Sequence, residues 1–207
     1  MTDVRVLAHA VAEHHLFRLR RMDTSAAEFR RSVQVVAALV AAEATRDLPA
    51  IARTVTTPLE ETTGHVLAGR SAAVPILRAG LAMVEPLLDL IPDMEVRHLG
   101  LYRDEQTARP VRYYDKLPTD RPPDRAFILD PMLATGGSVA EAANLLIQWG
   151  VSEIRMLAIV AAPEGIQRLR TECPQVRIFT GAVDRELNDR KFILPGLGDA
   201  GDRIFNT

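Results

Sequence analysis

The segment ILDPMLATGGS, residues 128–138, places an acid, Asp130, at the end of an apolar run. A small turn, Ala134-Thr135-Gly136-Gly137-Ser138, follows, and then a helix-like pattern. A helix N-terminus carries unpaired N–H groups and a partial positive charge, so it binds anions. Glycines let the backbone approach an anion closely, and the Thr135 and Ser138 hydroxyls add donors. The turn is therefore a candidate phosphate cradle, and Asp130 a candidate acceptor for sugar hydroxyls. The GxxxxGK[ST] pattern is absent, which separates this turn from the Walker-type loop. Taken alone, the same residues also suit an ordinary helix start with Ser138 as N-cap.

Two further stretches bear on that choice. VPILRAGLAM, residues 74–83, again reads as strand, turn and helix, with Arg78 at the strand end. GLYRDEQT, residues 100–107, puts Arg103 at the end of another strand. Arginine forks suit phosphate and pyrophosphate, although either arginine alone is equally an ordinary surface salt bridge. An acid, a phosphate cradle and two arginines at three strand ends fit one ligand with a sugar and two separate anionic groups. The C-terminal FILPGLGDAGDRIFNT contains Gly196-x-Gly198-x-x-Gly201, a formal match to the dinucleotide fingerprint. Six residues follow Gly201, which leaves no room for the helix and strand that the fingerprint needs. The glycines are read instead as a loop with inward-facing backbone groups, suited to a planar base; a glycine-rich tail without a ligand is the alternative.

These residues need a scaffold. Ser25-Ala-Ala-Glu28 is a capping-box pattern ahead of a helix running to about Ala44, whose sparse charge predicts extensive burial, a second subunit being one candidate cover. A shorter helix is predicted over 9–20, with His14 and His15 facing solvent. Strands are predicted over 51–59, 72–77, 95–102, 126–129, 154–161 and 176–180, and helical segments over 81–91, 138–149 and 164–173. Residues 110–117 read as an extended arm. Short apolar strands alternating with helices predict an α/β fold, a mostly parallel central sheet with helices on both faces. The longest irregular regions, 104–125 and 184–202, are functional candidates.

The chain has 207 residues, enough for one domain, and neither repeats nor a clear linker divide it. A net charge of −2, with one short basic cluster at 18–21, argues against a nucleic-acid surface. The lone Cys173 cannot form an internal disulfide, which fits a reducing compartment. The N-terminus has no signal-peptide pattern and no apolar run reaches membrane-spanning length, so a cytoplasmic protein is expected.

Taken together, VPILRAGL, LYRDEQT with PVRYYDKLP, ILDPMLATGGS, VAAPEGI and PGLGDAGDRIF resemble the uracil phosphoribosyltransferase family, in order and spacing, from about Arg5 to Phe205. Other phosphoribosyltransferases usually have two adjacent acids where this chain has Asp130-Pro131; the family resembled has the same Asp-Pro. The resemblance implies the type I phosphoribosyltransferase fold as a single domain, 1–207, with N-terminal helices and a C-terminal base-binding hood. It implies transfer of the phosphoribosyl group from 5-phosphoribosyl-1-diphosphate to uracil, giving UMP. By the same resemblance, Asp130, Pro131, Met132, Leu133, Ala134, Thr135, Gly136, Gly137 and Ser138 form the donor loop. Asp130 faces the ribose hydroxyls and Ala134 to Ser138 surround the 5′-phosphate. Arg78 and Arg103 contact the diphosphate. Ile193, Gly198, Asp199 and Ala200 hold uracil largely through backbone, and Asp199 also reaches the donor. Arg78, Arg103, Asp130 and Asp199 are the catalytic candidates. Residues 104–117 would form a flap. Mg²⁺ is expected on the diphosphate and ribose hydroxyls with water, without a direct protein ligand. A homodimer or larger homo-oligomer is expected, GTP is the candidate effector, and neither nucleic acid nor a membrane is an expected partner. Ala82 and Asn206 depart from the pattern, each standing where a glycine is common. No lysine or histidine is placed in the uracil loop. A nucleotide-sensing regulator that binds RNA is the alternative from another class; its weakness is the low net charge.

Overall fold

The computed structural model describes the backbone of residues 3–103, 110–115 and 121–207, and the side chains of 3–100 and 121–207. A short strand, β1 (Val4–Val6), precedes helices α1 (Ala10–Arg20) and α2 (Ala26–Thr45). A hairpin of β2 (Ala50–Thr56) and β3 (Glu61–Leu67) leads to β4 (Ser71–Leu77), a 3-10 helix (Ala79–Met83) and α3 (Val84–Leu88). Next come β5 (Glu95–Val96), β6 (Leu99–Arg103), β7 (Pro110–Asp115), β8 (Arg125–Leu129) and β9 (Met132–Leu133). They are followed by α4 (Gly137–Trp149), β10 (Glu153–Ala161), α5 (Pro163–Glu172) and β11 (Arg177–Val183). The C-terminal part holds β12 (Glu186–Leu187), β13 (Ile193–Leu194) and α6 (Ala200–Phe205).

The main sheet runs β1-β11-β10-β8-β4-β6-β7, with β5 beside β4 and β9 beside β10. Its described pairings are parallel except β6–β7. From β4 the chain moves outward to β6; from β8 it moves the other way, to β10 and β11. The strand order thus reverses between β4 and β8, and in open α/β sheets the crevice at that reversal binds ligands. Pro75 lies in β4, a central strand, where proline is normally excluded. It falls where the β8 ladder, Ser71 to Pro75, gives way to the β6 ladder, which begins at Ile76.

Period-two alternation assigns each central strand to two cores. Ala72, Val74, Ile76, Ala126, Ile128, Met156 and Ala158 pack on one face with Val139, Ala143 and Leu146 of α4 and Leu169 of α5. Ala73, Phe127, Leu129, Leu157, Ile159 and Phe179 pack on the other with α1 and α2. The α2 stripe Phe29, Val33, Val36, Val40 and Ala44 recurs at helical spacing and is buried on the chain's own sheet and neighbours. That accounts for its sparse charge. Emptying such a site, as in Phe127→Ala, removes about 3–5 kcal/mol. Ser25 caps α2, its hydroxyl accepting from Glu28 N at 3.3 Å.

Several details depart from the sequence expectations. His14 is exposed, but His15 is half-buried, with Nδ1 3.1 Å from Ser32 Oγ on α2; burial lowers its pKa. The stretch expected as one strand over 51–59 is the first arm of an exposed two-stranded hairpin outside the main sheet. The strand expected over 95–102 is divided into β5 and β6. β1, too short to show periodicity, joins β11 in parallel. The arm at 110–115 is β7, antiparallel to β6; residues 104–109 and 116–117 of the expected flap lie outside the described residues. Among the described residues, no helix is long and apolar enough to cross a membrane.

At the amino end of the sheet, Arg155 is buried, only 2 % exposed, and donates to Asp47 Oδ1 at 2.6 Å and to the Ala44 carbonyl. Arg177 donates to Asp47 Oδ2 at 2.8 Å. A buried guanidinium requires such partners. Burial acts to raise the Asp47 pKa, but hydrogen bonds from Arg177 and Arg155 and their charge outweigh it and bring the carboxyl to about 2. Its contribution to stability is therefore present above the ordinary carboxylate range and is lost as pH falls through about 2. Asp47→Asn is expected to lower Tm at pH 7, with the gap from the wild type closing as pH falls from about 4 toward about 2; a gap that does not change with pH would show that the carboxylate charge contributes nothing.

Candidate active site

Because β4, β6, β8, β10 and β11 are parallel, their carboxyl ends share one edge of the sheet. Arg78 follows β4 and precedes the 3-10 helix; the Leu77–Arg78 peptide is cis. The Arg78 side chain is exposed, with Nη2 3.5 Å from Asp202 Oδ1 and the guanidinium 5.8 Å from the Phe205 ring centroid. Gly80, two residues on, is buried against β8: a Cβ there would lie 2.3 Å from the Leu129 carbonyl oxygen. That contact presses the arginine turn against the strand end that carries Asp130, and it leaves no space for a side chain.

The Asp130 backbone N–H donates to Leu157 O at 3.2 Å, and its Oδ1 accepts from Met132 N at 3.1 Å. The residue keeps partial exposure, yet burial pushes its carboxyl up to about 7. The Met132 N–H pulls the other way, and the charge of Asp199 adds to the rise. At neutral pH this acid is thus poised between its two forms, and any ligand that donates hydrogen bonds to it favours the charged one.

The loop after Asp130 is held by the next strand. The Pro131 carbonyl accepts from Ile159 N and Val160 N at 3.0 and 3.1 Å, and Met132 and Leu133 pair with Val160 and Ala161. Gly136 caps α4 with φ +75°, and a Cβ on it would meet the Gly165 carbonyl oxygen at 2.9 Å. The reading of Ser138 as N-cap is therefore incorrect: Ser138 lies inside α4, and the cap has no side chain. The backbone N–H groups at the start of α4 belong to Gly137 and Ser138, two of the residues expected around a phosphate.

The third wall is the C-terminal segment. Ile193 is buried, the Leu194–Pro195 peptide is cis, and Gly196 and Gly198 have φ of +61° and +79°. Asp199 caps α6, its Oδ1 accepting from Asp202 N at 3.0 Å. The glycine motif thus leads into a short terminal helix, not a dinucleotide fold. α6 itself was missed, the glycines masking its Asp199 cap. Asn206 ends α6 at φ +60°, a left-handed position, which fits its replacing a glycine.

A cleft of about 280 Å³ lies between these walls, with Asp130, Met132 and Ala134 on one side and Ile193, Gly198, Asp199 and Ala200 on the other. Arg78 and Thr135 to Ser138 adjoin two of its lining residues, Ala79 and Ala134, without lining it. The Arg103 backbone ends β6 opposite Pro110, and its side chain lies outside the described residues. Sequence reasoning missed two cations on the cleft wall, Arg190 and Lys191. They sit just before the hood, and Lys191 adopts φ +65° at the hairpin turn; the Asn188-Asp189 pair ahead of them was the available turn signal.

Known proteins resemble the chain over its whole length. A sequence profile described as uracil phosphoribosyltransferase matches residues 6–207. The chain is 51 % identical over 207 residues to a uracil phosphoribosyltransferase of Roseiflexus sp. (strain RS-1), covering 100 % of both chains. It is 48 % identical over 208 residues to that of Bacillus thuringiensis (strain Al Hakam), again covering 100 % of both. Among solved structures, the AQ2163 protein from Aquifex aeolicus superposes with a TM-score of 0.92 at 35 % identity, covering 98 % of this chain and 97 % of that one. A hypoxanthine-guanine phosphoribosyltransferase from Bacillus anthracis superposes at 0.53 with 10 % identity, covering 77 % and 80 %, a likeness of fold alone. Full-length matches at about half identity, with a family profile that spans nearly the whole chain, leave one conclusion: the chain belongs to the uracil phosphoribosyltransferase family.

Proposed function

We infer that the chain transfers the 5-phosphoribosyl group of 5-phosphoribosyl-1-diphosphate to N1 of uracil, giving UMP and diphosphate in pyrimidine salvage, and that it works as one domain spanning 1–207. The observation that carries this reading is the single cleft shared by Asp130 and the backbone of the hood. The 5′-phosphate sits on the N–H groups of residues 135–138, at the turn into α4, while the Ala134 N–H donates to the Met132 carbonyl at 2.9 Å and only packs beside it. Asp130 accepts hydrogen bonds from the ribose hydroxyls, and its carboxylate stabilises the positive charge that develops at C1′. Arg78 and Arg103 hold the diphosphate. As the C1′–oxygen bond breaks, its electron pair goes to the diphosphate, and the two guanidinium groups stabilise that charge. The N1 lone pair forms the new bond to C1′, and the N1 proton passes to water. Ile193, Gly198 and Ala200 present backbone groups to the base, while Asp199 stands between base and donor.

Among the described residues, no group of three or more His, Cys, Asp or Glu side chains could hold a metal ion. Two acids, Asp130 and Asp199, line the cleft, and such a set fits Mg²⁺ carried by the donor's diphosphate and ribose oxygens with water. Bound there, the ion would add charge stabilisation at the leaving diphosphate. The cytoplasm and a homo-oligomer belong to the same proposal. The β2–β3 hairpin supports the latter: all but one of its fourteen strand residues are exposed, Ile51, Val55, Val66 and Leu67 among them, and a lone hairpin is marginal in water.

The primary test is incubation with labelled uracil, cytosine, hypoxanthine or orotate, each with the donor and Mg²⁺. Uracil is expected to be preferred over cytosine by about 10⁴-fold in kcat/KM, because fixed backbone groups cannot re-pair with the exchanged donor and acceptor of cytosine. Comparable values would remove residues 193 and 198–200 as the base site. Repeating the uracil reaction with GTP tests the candidate effector. Arg103→Ala is expected to lower kcat/KM by about a hundredfold, the scale of one lost charge-stabilising contact.

Asp130→Asn separates binding from burial. The raised pKa means that the fold disfavours the charged form, so the ligand-free wild type loses stability as pH rises from about 4 to about 7. The amide does not titrate. The variant is expected to show a higher Tm than the wild type at pH 8, with the gap vanishing toward pH 4, and to lose most of its activity. Equal Tm values across that range would show that Asp130 titrates as an ordinary carboxylate.

A further inference from the structure

The hood reads the base with backbone, so something outside the cleft must fix that backbone. Asp184 follows β11 and is 8 % exposed; its N–H donates to Ala161 O at 2.8 Å, fixing it to the end of β10. Arg20, the last residue of α1, forks onto its carboxylate, Nη2 to Oδ1 at 2.6 Å and Nη1 to Oδ2 at 2.8 Å. Gly196 closes the arrangement. Its N–H donates to Asp184 Oδ2 at 2.9 Å, and its carbonyl accepts from Arg20 Nη1 at 2.9 Å. Both backbone polar groups of Gly196 are thus tied to one ion pair. At φ +61°, a Cβ on Gly196 would lie 2.1 Å from the Ile193 carbonyl oxygen, so the turn is folded directly onto the base segment. The next residue is pinned to the same place: Arg203 Nη1 donates to Leu197 O at 2.7 Å and to Leu19 O at 2.5 Å.

Neither Arg20 nor Asp184 lines the cleft. A pair of this kind is weak as a source of net stability, because desolvation offsets its attraction, but its fork geometry is directional. We propose that Arg20 and Asp184 are positioning residues for base recognition: through Gly196 they set where residues 198–200 present their backbone, and so set the affinity and selectivity for the pyrimidine. This rests on the base-site reading above.

The test uses the full chain with Arg20→Lys and Asp184→Asn, each checked for fold by circular dichroism. Lysine keeps the charge without the fork, and asparagine keeps the shape without the charge. The expected result is a KM for uracil raised by about tenfold or more, a donor KM within about twofold of the wild type, and a reduced preference for uracil over cytosine. Folded variants that lose Tm but keep the uracil KM and selectivity would overturn the inference, leaving the pair a structural one. Amide exchange on the wild type decides independently of any variant. Gly196 N–H is expected to be protected before uracil is added, and exchange at the unprotected rate until uracil arrives would also overturn it. Failure of the wild type to bind uracil in calorimetry would instead bring down the base-site reading itself.

Discussion

Asp130 is held at the end of a strand buried on both faces, and the charge that acts on it is that of another acid, Asp199. A carboxyl moved from its ordinary value to about 7 represents on the order of 4 kcal/mol of unfavourable free energy for its charged form above pH 7. Against a total stability of about 5–15 kcal/mol, no fold would place an acid there for packing. The rest of the architecture accommodates it. Two complete cores flank the strand, the Gly80–Leu129 contact locks the neighbouring turn to it, and the reversal of strand order leaves the carboxyl facing a cleft instead of a helix.

The two halves of the proposed site are built by different means. On the donor side, backbone groups are positioned by the sheet: Asp130, Pro131 and Leu133 all bond to β10 or the residue after it. Strand register fixes them, helped by the Asp130 carboxylate accepting from Met132 N and by the Leu133 side chain buried in the core. On the base side there is no comparable ladder. β13 pairs over two residues with β12, and the segment beyond β13 is held by arginines reaching from or onto the end of α1, far away in sequence. The donor half is thus an extension of the core, and the base half is docked onto it through Ile193, Leu197, Ala200 and Ile204.

This difference decides what could be read from the sequence. The buried strands and α4 were legible because apolar runs and helical spacing are local, and Asp130 stood out because an acid interrupts such a run. The turn at Arg78 was legible for the same reason. The hairpin β2–β3 was half-read, because its alternation answers to no core of this chain. β1 and β5 are too short to carry a period. Arg190 and Lys191 were invisible as cleft residues, since only the fold of the turn brings them to the wall. Arg20 looked like part of a surface basic cluster; its partner lies 164 positions away, and no local pattern announces such a pair.

A glycine-rich segment is the natural way to bring backbone close to a flat base, yet glycine loses more conformational freedom on ordering than any other residue. A loose tail around uracil would meet that cost at every binding event and weaken affinity accordingly. Here the cost is met during folding. Arg203 stacks over Phe29 at 4.3 Å while donating to the Leu19, Arg21 and Leu197 carbonyls, and Arg20 with Asp184 takes both polar groups of Gly196. These three charged side chains, Arg20, Asp184 and Arg203, lie outside the cleft. In the proposed site the base would meet a surface that is already in place, and selectivity would come from the direction of backbone N–H and C=O groups. Those directions are a property of α1 and β11 as much as of the loop itself.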